Sequence, residues 1–279
     1  MPALTFSKWS PGGNITLLFP AEQLATQTQT RLATAALEEA FLGGEQAGFF
    51  YAAEKRLRMA GGEFCVNASR AVGAFLAYQR ERDTAFLPEL QEEIHVSGWD
   101  TPVRLNIRGL APQWQVEAVL QLPSCPVEAG ESGVGLVRLP GISHLLIDAQ
   151  IHPLPDDLHA AAAELRRCHN LDIEPATGVV WWHQCGDQLN MLPLVRVRDI
   201  DTTFVENACG SGALALALSL SASQARKNFS IMQPSGSSLN VRLFTHGETL
   251  LAGIDGPVRL VAEGTVWLPD AQTSAGWRG

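Results

Sequence analysis

The chain has 279 residues, of which 46% are apolar and 18% are charged, and it carries a net charge of −9. This composition predicts a folded globular protein, and the length suits one large domain or two domains of ordinary size. The excess of acidic residues and the lack of a basic stripe argue against nucleic acid and anionic membranes as partners.

The sequence lacks the usual signatures of a membrane span, an export signal or a bound cofactor. No apolar run approaches the ~20 residues that span a bilayer, and the first residues, MPALTFSKWS, do not follow the signal-peptide pattern. We therefore expect a soluble cytoplasmic protein. Nucleotide-binding glycine motifs are missing, the few lysines lie outside any obvious cofactor loop, and Cys168-His169 with His183 and Cys185 fits no usual zinc template. No cofactor and no metal are expected.

The first half of the chain is predicted to contain two strands, a long helix, two short strands, a second helix and three more strands. In chain order, their approximate ranges are 4–8, 15–19, 21–42 (helix), 48–52, 56–59, 65–82 (helix), 93–96, 103–108 and 115–122.

The second half repeats this plan. Its predicted ranges are 135–139, 144–148, 155–168 (helix), 178–183, 189–198, 209–222 (helix), 229–232, 239–244, 250–254, 258–262 and 266–268, followed by a frayed tail at 270–279. Strands outnumber helices and no βαβ alternation is evident, so we predict an α+β fold with two domains of similar plan. The boundary is placed in the Pro-, Gly- and Ser-rich stretch 123–132, which gives domains at 1–124 and 125–255. The last strands, about 256–269, could return to the first domain.

Two cysteines occupy the same local setting. Cys65 lies in GGEFCVNASR and Cys209 in ENACGSGALALAL, each where a loop turns into a helix. A helix N-terminus carries unsatisfied N–H groups and partial positive charge, which lowers the pKa of a thiol and can hold a carboxylate. Each junction alone could also be a buried cysteine beside a turn and a cap.

The pair supports a specific chemistry if the two junctions face each other across a cleft. A carboxylate could be held between the helix ends with its α-carbon between the two sulfurs. One thiolate would then remove the α-proton, and the opposite thiol would deliver a proton to the other face. The stereocentre is inverted without a cofactor, and which thiol serves which face is left open.

The chain resembles the cofactor-independent two-cysteine racemases and epimerases typified by diaminopimelate epimerase. The similar segments are FSKWSPGGN, CVNASR, GISH at 141–144 and ACGSGA at 208–213. The resemblance implies two pseudo-symmetric domains, each a barrel-like sheet around a central helix, with the active site in the cleft between them. The Glu-Arg pair that diaminopimelate epimerases carry before the second cysteine motif is missing from RVRDIDTTFVENACGSG, which argues against a substrate with two amino-acid ends.

The histidine racemase branch, which supplies D-histidine for opine-type metallophores, is more similar still. Five segments match in order: FSKWSPGGN, EQAGF, MAGGEFC, ENACGSG and QPSGS. One departure is Val66, which stands where the family has glycine and would narrow the loop after Cys65. The resemblance implies an amino-acid substrate, most specifically histidine, with diaminopimelate or a broader range of amino acids as the alternative. A homodimer is left open, and a thiol redox sensor or small-molecule binding protein is the non-enzymatic alternative.

The resemblance also suggests roles for individual residues. Cys65 and Cys209 are the acid–base pair, and the backbone N–H groups of Val66, Asn67, Gly210 and Ser211 are the expected carboxylate cradle. Asn14 matches a substrate-loop asparagine, with a plain turn residue as the alternative. His144 is either an assisting base or a structural histidine. Glu45 and Glu206 could accept a hydrogen bond from an imidazole N–H or pair with the substrate ammonium, and Glu206 could instead be a charge near a helix start.

Overall fold

The computed structural model describes residues 3–21, 26–83, 89–122, 127–130 and 132–268. Within them the fold is α+β and rich in strands, as the sequence predicts. The helices are α1 (Thr26–Leu37), α2 (Val66–Asp83), α3 (Leu158–Cys168) and α4 (Gly210–Ser223). The strands are β1 (Ala3–Pro11), β2 (Thr16–Pro20), β3 (Gln46–Tyr51), β4 (Arg56–Met59), β5 (Glu89–Val96), β6 (Val103–Leu110), β7 (Gln113–Gln121), β8 (Val127–Ala129), β9 (Val134–Leu139), β10 (Ile142–Asp148), β11 (Ala176–Cys185), β12 (Gln188–Val197), β13 (Thr202–Val205), β14 (Asn228–Met232), β15 (Ser238–His246) and β16 (Thr249–Trp267).

The first seven strands and β16 form a closed ring. They pair in the order β1-β2-β3-β4-β5-β6-β7-β16, and the antiparallel pairing of β1 with β16 closes the barrel. Helix α2 contacts strands all around this ring. Its first half is buried on every side and carries small residues such as Ala68, Ala71 and Gly73, so the helix fits inside the barrel.

The remaining strands continue from β16 in the order β15-β14-β12-β11-β10-β9-β8, and β13 pairs with β12. Helix α4 lies against this second sheet, in contact with β9, β10, β14 and β15. Its sequence GSGALALALSL is apolar on all faces, and nearly the whole helix is buried. Such a pattern is typical of a helix enclosed by its sheet rather than one lying on a surface.

Each helix lies in the connection between two strands that pair in parallel, and in the α4 connection β13 precedes the helix, which corrects the expectation of no βαβ alternation. The parallel pairs are β2–β3 around α1, β4–β5 around α2, β10–β11 around α3 and β12–β14 around α4. Each parallel pair is flanked by antiparallel partners. The strands therefore lack the continuous apolar runs that mark a fully parallel sheet, and the sequence pattern concealed the alternation.

The end of the chain is one strand where three were predicted. β16 runs without interruption through Gly256-Pro257 and Gly264, residues that usually end a strand. It pairs with β15 through residue 255, with β7 from 251 to 259 and with β1 from 258 to 267, so long-range partners hold it throughout. The short strands β8 and β13 were not predicted.

Other boundaries differ in smaller ways. Helix α1 ends at Leu37 rather than at residue 42, because a turn with Gly43 at φ +57° follows and bonds back to Glu38. Much of the predicted boundary, 123–126 and 131, and the predicted tail at 270–279 lie outside the described residues. Among the helices in the described ranges, none has the length and apolar character needed to cross a membrane.

Candidate active site

The two cysteines begin the two enclosed helices. The thiol of Cys209 is the N-cap of α4 and accepts a hydrogen bond from the Gly212 N–H at 3.4 Å, and Cys65 accepts one from the Ala68 N–H at 3.2 Å. Sulfur thus occupies the acceptor position that Ser, Thr, Asp or Asn usually fills. Both side chains are buried and line one cavity.

The cavity brings together most of the side chains predicted for the site. Its polar lining comes from the starts of α2 and α4, from three glutamates, and from Gln46 and Thr202, and its remaining wall is apolar. The lining residues are Glu45, Gln46, Ala47, Glu63, Phe64, Cys65, Val66, Asn67, Ile142, Val195, Val197, Ile200, Thr202, Phe204, Glu206, Cys209, Gly210 and Ser211. Asn14 and His144 are absent from this lining and lie behind it.

Gln46 connects one cysteine to a buried carboxyl and was missed by sequence reasoning. The Cys65 thiol donates to Gln46 Oε1 at 2.8 Å, and Gln46 Nε2 donates to Glu206 Oε1 at 2.7 Å. The amide therefore fixes the direction of the Cys65 S–H and ties it to Glu206. Gln46 could have been found from the sequence, because it belongs to the shared EQAGF segment, but only its neighbour Glu45 was selected there.

Both thiols are held in their protonated form, contrary to the expectation from their helix ends. Burial raises the pKa of Cys65 and of Cys209 well above the ordinary value, and the nearby Glu206 carboxyl adds to both shifts. The N–H groups of Ala68 and Gly212 act in the opposite direction but are outweighed. Desolvation therefore exceeds the helix-end effect in this cavity.

The buried carboxyls are shifted in the same sense. Burial raises the pKa of Glu206 to about 8 and that of Glu63 to about 7. The pKa of Glu45 is also raised by burial, although its hydrogen bonds oppose the shift. The cavity as a whole thus disfavours negative charge.

The starts of the two helices abut directly, and this contact explains how Val66 is accommodated. A Cβ placed on Gly210 would lie 2.7 Å from Val66 Cβ and 2.8 Å from its Cγ1. The valine therefore fits because the facing residue has no side chain. Asn67 reinforces the contact by donating from Nδ2 to the Ala208 carbonyl at 2.8 Å. Nδ2 of Asn67 is used in this link, whereas its Oδ1 has no hydrogen-bond partner among the described residues.

Glu45 lines the cavity, but its carboxylate already has several partners. It accepts hydrogen bonds from Asn14 Nδ2 at 3.0 Å, from the Ile15 N–H at 3.2 Å, and from the backbone N–H and Nδ2 of Asn207, both at 2.9 Å. These four donors match the usual capacity of a carboxylate. Asn14 in turn accepts from Thr16 Oγ1. A substrate contact by Glu45 or Asn14 stays a prediction and would require one of these bonds to be exchanged.

His144 reaches the site through Ser211. Its Nε2 lies 2.9 Å from Ser211 Oγ, which is 3.6 Å from Cys209 Sγ. Burial lowers the pKa of His144 to about 3, so the ring is neutral. Gly178 makes room for it, because a Cβ there would lie 2.2 Å from the ring Nδ1. Any assistance from His144 to Cys209 is therefore indirect.

A family model described as the histidine racemase CntK N-terminal domain matches residues 3–267. The chain belongs to this histidine racemase family. It is 30% identical to a histidine racemase of Fusobacterium nucleatum subsp. nucleatum over 95% of this chain and 97% of that protein. The protein is thus an amino-acid racemase, and hence an isomerase.

Solved structures support the fold. A hydroxyproline epimerase from Agrobacterium vitis with bound trans-4-hydroxy-L-proline aligns with a TM-score of 0.65 at 13% identity, covering 97% of this chain and 94% of that one. A phenazine biosynthesis protein of the PhzF family from Enterococcus faecalis aligns with a TM-score of 0.59 at 14% identity, covering 96% and 100%.

In this member of the histidine racemase family, the QPSGS segment supports the second cysteine. Gln233 accepts the backbone N–H of Cys209 at 2.9 Å, and Ser235 donates from Oγ to the Gly12 carbonyl at 2.6 Å. Gly13 has φ +102°, and a Cβ there would lie 2.2 Å from that of Ser235, so this approach requires glycine. The QPSGS segment thus contacts both Cys209 and the FSKWSPGGN segment, although Gln233 was not chosen as a site residue from the sequence.

Among the residues that the structure describes, no group of three or more His, Cys, Asp and Glu side chains is arranged to hold an ion. Cys168 and Cys185 are exposed free thiols in this part of the chain.

Proposed function

We propose that this protein interconverts L- and D-histidine without a cofactor, using Cys65 and Cys209 as the two proton-transfer groups. The observation that carries the proposal is that both cysteines begin enclosed helices and line the same buried cavity. Histidine is the substrate named for the relatives that match nearly the whole chain. Three of the five sequence segments shared with that branch contribute residues to the cavity lining: EQAGF, MAGGEFC and ENACGSG.

The substrate carboxylate binds at the facing helix ends. The first turns of α2 and α4 leave the N–H groups of Val66, Asn67, Gly210 and Ser211 without intrahelical acceptors, as at every helix start. Together with two helix dipoles they form an anion site. Glu206, which is tied to Cys65 through Gln46 and raises the pKa of both thiols, takes the α-ammonium.

Proton transfer uses the two thiols in opposite states. A thiolate on one side takes the α-proton and becomes a thiol, while the thiol on the other side gives its proton to the opposite face and becomes a thiolate. The net result is inversion with one proton exchanged for another. The Ala68 N–H at Cys65 and the Gly212 N–H at Cys209 stabilise the thiolate as it forms.

The test is solvent exchange at the α-carbon of L-histidine. In D₂O with reductant, the protein should incorporate deuterium at Cα and form D-histidine without any added cofactor, and Cys65→Ser and Cys209→Ser should each lose racemisation. Absence of D-histidine under these conditions would refute the substrate assignment. Exchange into diaminopimelate or into several amino acids would favour the alternatives of diaminopimelate epimerase or a broader racemase.

A thiol redox sensor remains the alternative from another class. The two buried cysteines are free thiols that share one cavity. A sensor would show a redox-dependent change of shape and no α-proton exchange with any amino acid. A racemase would show exchange that is lost on oxidation and restored by reductant.

We also propose that the fold consists of two pseudo-symmetric domains of the diaminopimelate epimerase-like type. The order of parallel and antiparallel pairings from β1 to β7 recurs from β9 through β12 and β14 to β16, which supports an internal repeat. The first domain comprises residues 1–124 with the strand at about 256–269, and the second comprises residues 125–255. The pairing of β16 with β1 supports this assignment.

The proposed context is a cytoplasmic enzyme that supplies D-histidine to opine-type metallophore synthesis. Free thiols as proton-transfer groups suit a reducing compartment. The protein is proposed to act on a small-molecule amino acid, with a homodimer as its candidate assembly. Gel filtration with light scattering would decide the oligomeric state.

A further inference from the structure

Glu63 presents an unused acceptor in the active-site cavity. It is 6% exposed and lines the cavity, and within the described residues its Oε2 has no hydrogen-bond partner. Leaving a buried carboxyl oxygen unpaired is costly, so such a group indicates a ligand or a functional role. Gly61 makes room for it, since a Cβ there would lie 2.8 Å from Glu63 Oε2 and 2.4 Å from Val197 Cγ1.

Glu63 and Glu206 both line the cavity, but they have different neighbours. Glu206 Oε1 accepts from Gln46 Nε2, and Gln46 Oε1 accepts from the Cys65 thiol, so Glu206 is linked to an acid–base group of the proposed mechanism. Glu63 Oε2 lies near Gly61 and has no such link to either thiol among the described hydrogen bonds. We therefore assign Glu206 to the α-ammonium and Glu63 to the substrate side chain.

Apolar side chains complete this side of the cavity. Val197, Ile200 and Phe204 contribute to the wall, and Val197 lies close to Gly61 beside the Glu63 carboxyl. A flat ring with polar nitrogens at its edge suits this arrangement, because its faces contact apolar groups while one N–H meets the carboxyl oxygen. A purely apolar side chain would leave Glu63 Oε2 buried and unpaired.

We propose that Glu63 determines specificity by binding a ring nitrogen of the substrate imidazole through Oε2. This inference rests on the proposed histidine racemase activity and deepens it. A site built to hydrogen-bond a polar group rejects an analogue that lacks the group, because its own polar atom is then left unpaired. Glu63 belongs to the MAGGEFC segment that includes Cys65, so the same loop positions the acid–base thiol and the residue proposed to determine specificity.

The experiment compares histidine with β-(2-thienyl)alanine, a five-membered-ring analogue that has no ring N–H. Cα deuterium exchange is measured for both substrates in wild type, Glu63→Gln and Glu63→Ala. Where exchange of the analogue is too slow to follow, its inhibition constant against histidine is compared. In Glu63→Ala we expect kcat/KM for histidine to fall about 10- to 100-fold, as for loss of a hydrogen bond to a charged group, and the value for the analogue to change less than about threefold. Glu63→Gln should give a smaller loss.

Glu92→Gln is the matched control. Glu92 is another buried glutamate, but it pairs with Lys55 and Arg80 and does not line the cavity. It should change stability without changing the ratio of the two substrates. Glu63→Gln preserves the size of the side chain. If Glu63→Ala does not fold, the ratio of kcat/KM for the two substrates is compared between wild type and Glu63→Gln instead.

The outcomes separate the two proposals. If wild type racemises histidine but the substrate ratio is unchanged in the Glu63 variants, the role of Glu63 is refuted and the proposed function stands. If both substrates lose activity equally, Glu63 is structural and the inference is again refuted. If wild type exchanges other amino acids but not histidine, the proposed function fails and the inference fails with it.

Discussion

The contact between Val66 and Gly210 predicts that a single methyl group at residue 210 will destabilise the protein. In Gly210→Ala, the new Cβ would lie 2.7 Å from Val66 Cβ and 2.8 Å from Val66 Cγ1. Both residues are buried at helix starts, and overpacking of this kind costs about 1–3 kcal/mol. The better helix propensity of alanine offsets about 0.5–1 kcal/mol. We therefore expect a net loss of about 1–2 kcal/mol in the free energy of unfolding.

The assay is a double-mutant cycle by urea denaturation. Val66→Gly removes the opposing side chain and installs the glycine that the family carries, at its own cost in burial and helix propensity. In that background Gly210→Ala should cost nothing or stabilise, which gives a coupling energy above about 1 kcal/mol. Gly264→Ala is the control, because its nearest neighbour to a new Cβ lies at 3.6 Å, in ordinary contact. Equal costs for Gly210→Ala in the two backgrounds, within about 0.5 kcal/mol, would show that the contact is not the cause.

Three further predictions concern the chemistry of the site. Cys65→Ser and Cys209→Ser should each lower the rate of histidine racemisation by at least about 1,000-fold, because a serine hydroxyl is a far weaker acid than a thiol. The rate is measured by chiral chromatography, and circular dichroism should be unchanged. Retention of more than a tenth of the rate by either variant would argue against the two-thiol mechanism. Gln46→Leu should lower kcat about tenfold or more, since Cys65 and Glu206 both lose a partner, and an unchanged rate would mean that this link does not position the thiol. The pKa of Glu206 is raised from 4.5 to about 8 in the folded protein, so the native state binds that proton more tightly and the free energy of unfolding falls as the pH rises from about 4.5 through 8. Melting temperatures measured across this pH range should fall less steeply for Glu206→Gln than for the wild type. An identical slope of melting temperature against pH would contradict the shift.

The local elements could be predicted from the sequence because their signals are local. Most predicted strands and all four helices appear near their expected positions, including 56–59 at the bounds of β4. β16 could not be predicted as one strand, because Gly256 and Pro257 usually end a strand and only partners far along the chain keep it continuous. Gly256 also has a packing reason that no local pattern reveals: a Cβ there would meet the buried Arg70 Nη2 at 2.8 Å.

The site was predicted where chemistry-bearing residues stand in recognisable segments. Cys65, Cys209 and Glu206 were selected in this way, and the structure places them around one cavity. Gln46 was missed because an uncharged amide has no distinctive chemistry until its two partners, which are distant in sequence, are known. Glu63 was missed because no local pattern shows that the fold buries it with one carboxyl oxygen unpaired.

The thiols show how local and long-range effects compete at this site. A helix start favours an anion, and from sequence alone this predicts cysteines with a lowered pKa that are partly thiolate at neutral pH. The fold then buries both sulfurs beside Glu206 and raises the pKa of each well above its ordinary value. In the proposed mechanism a zwitterionic amino acid changes this balance, because we expect its ammonium to lie next to Glu206 and its carboxylate to occupy the N–H groups of the helix ends. Binding would then bring into the cavity the positive charge that a thiolate needs, so we propose that proton abstraction is favoured only when a substrate is present.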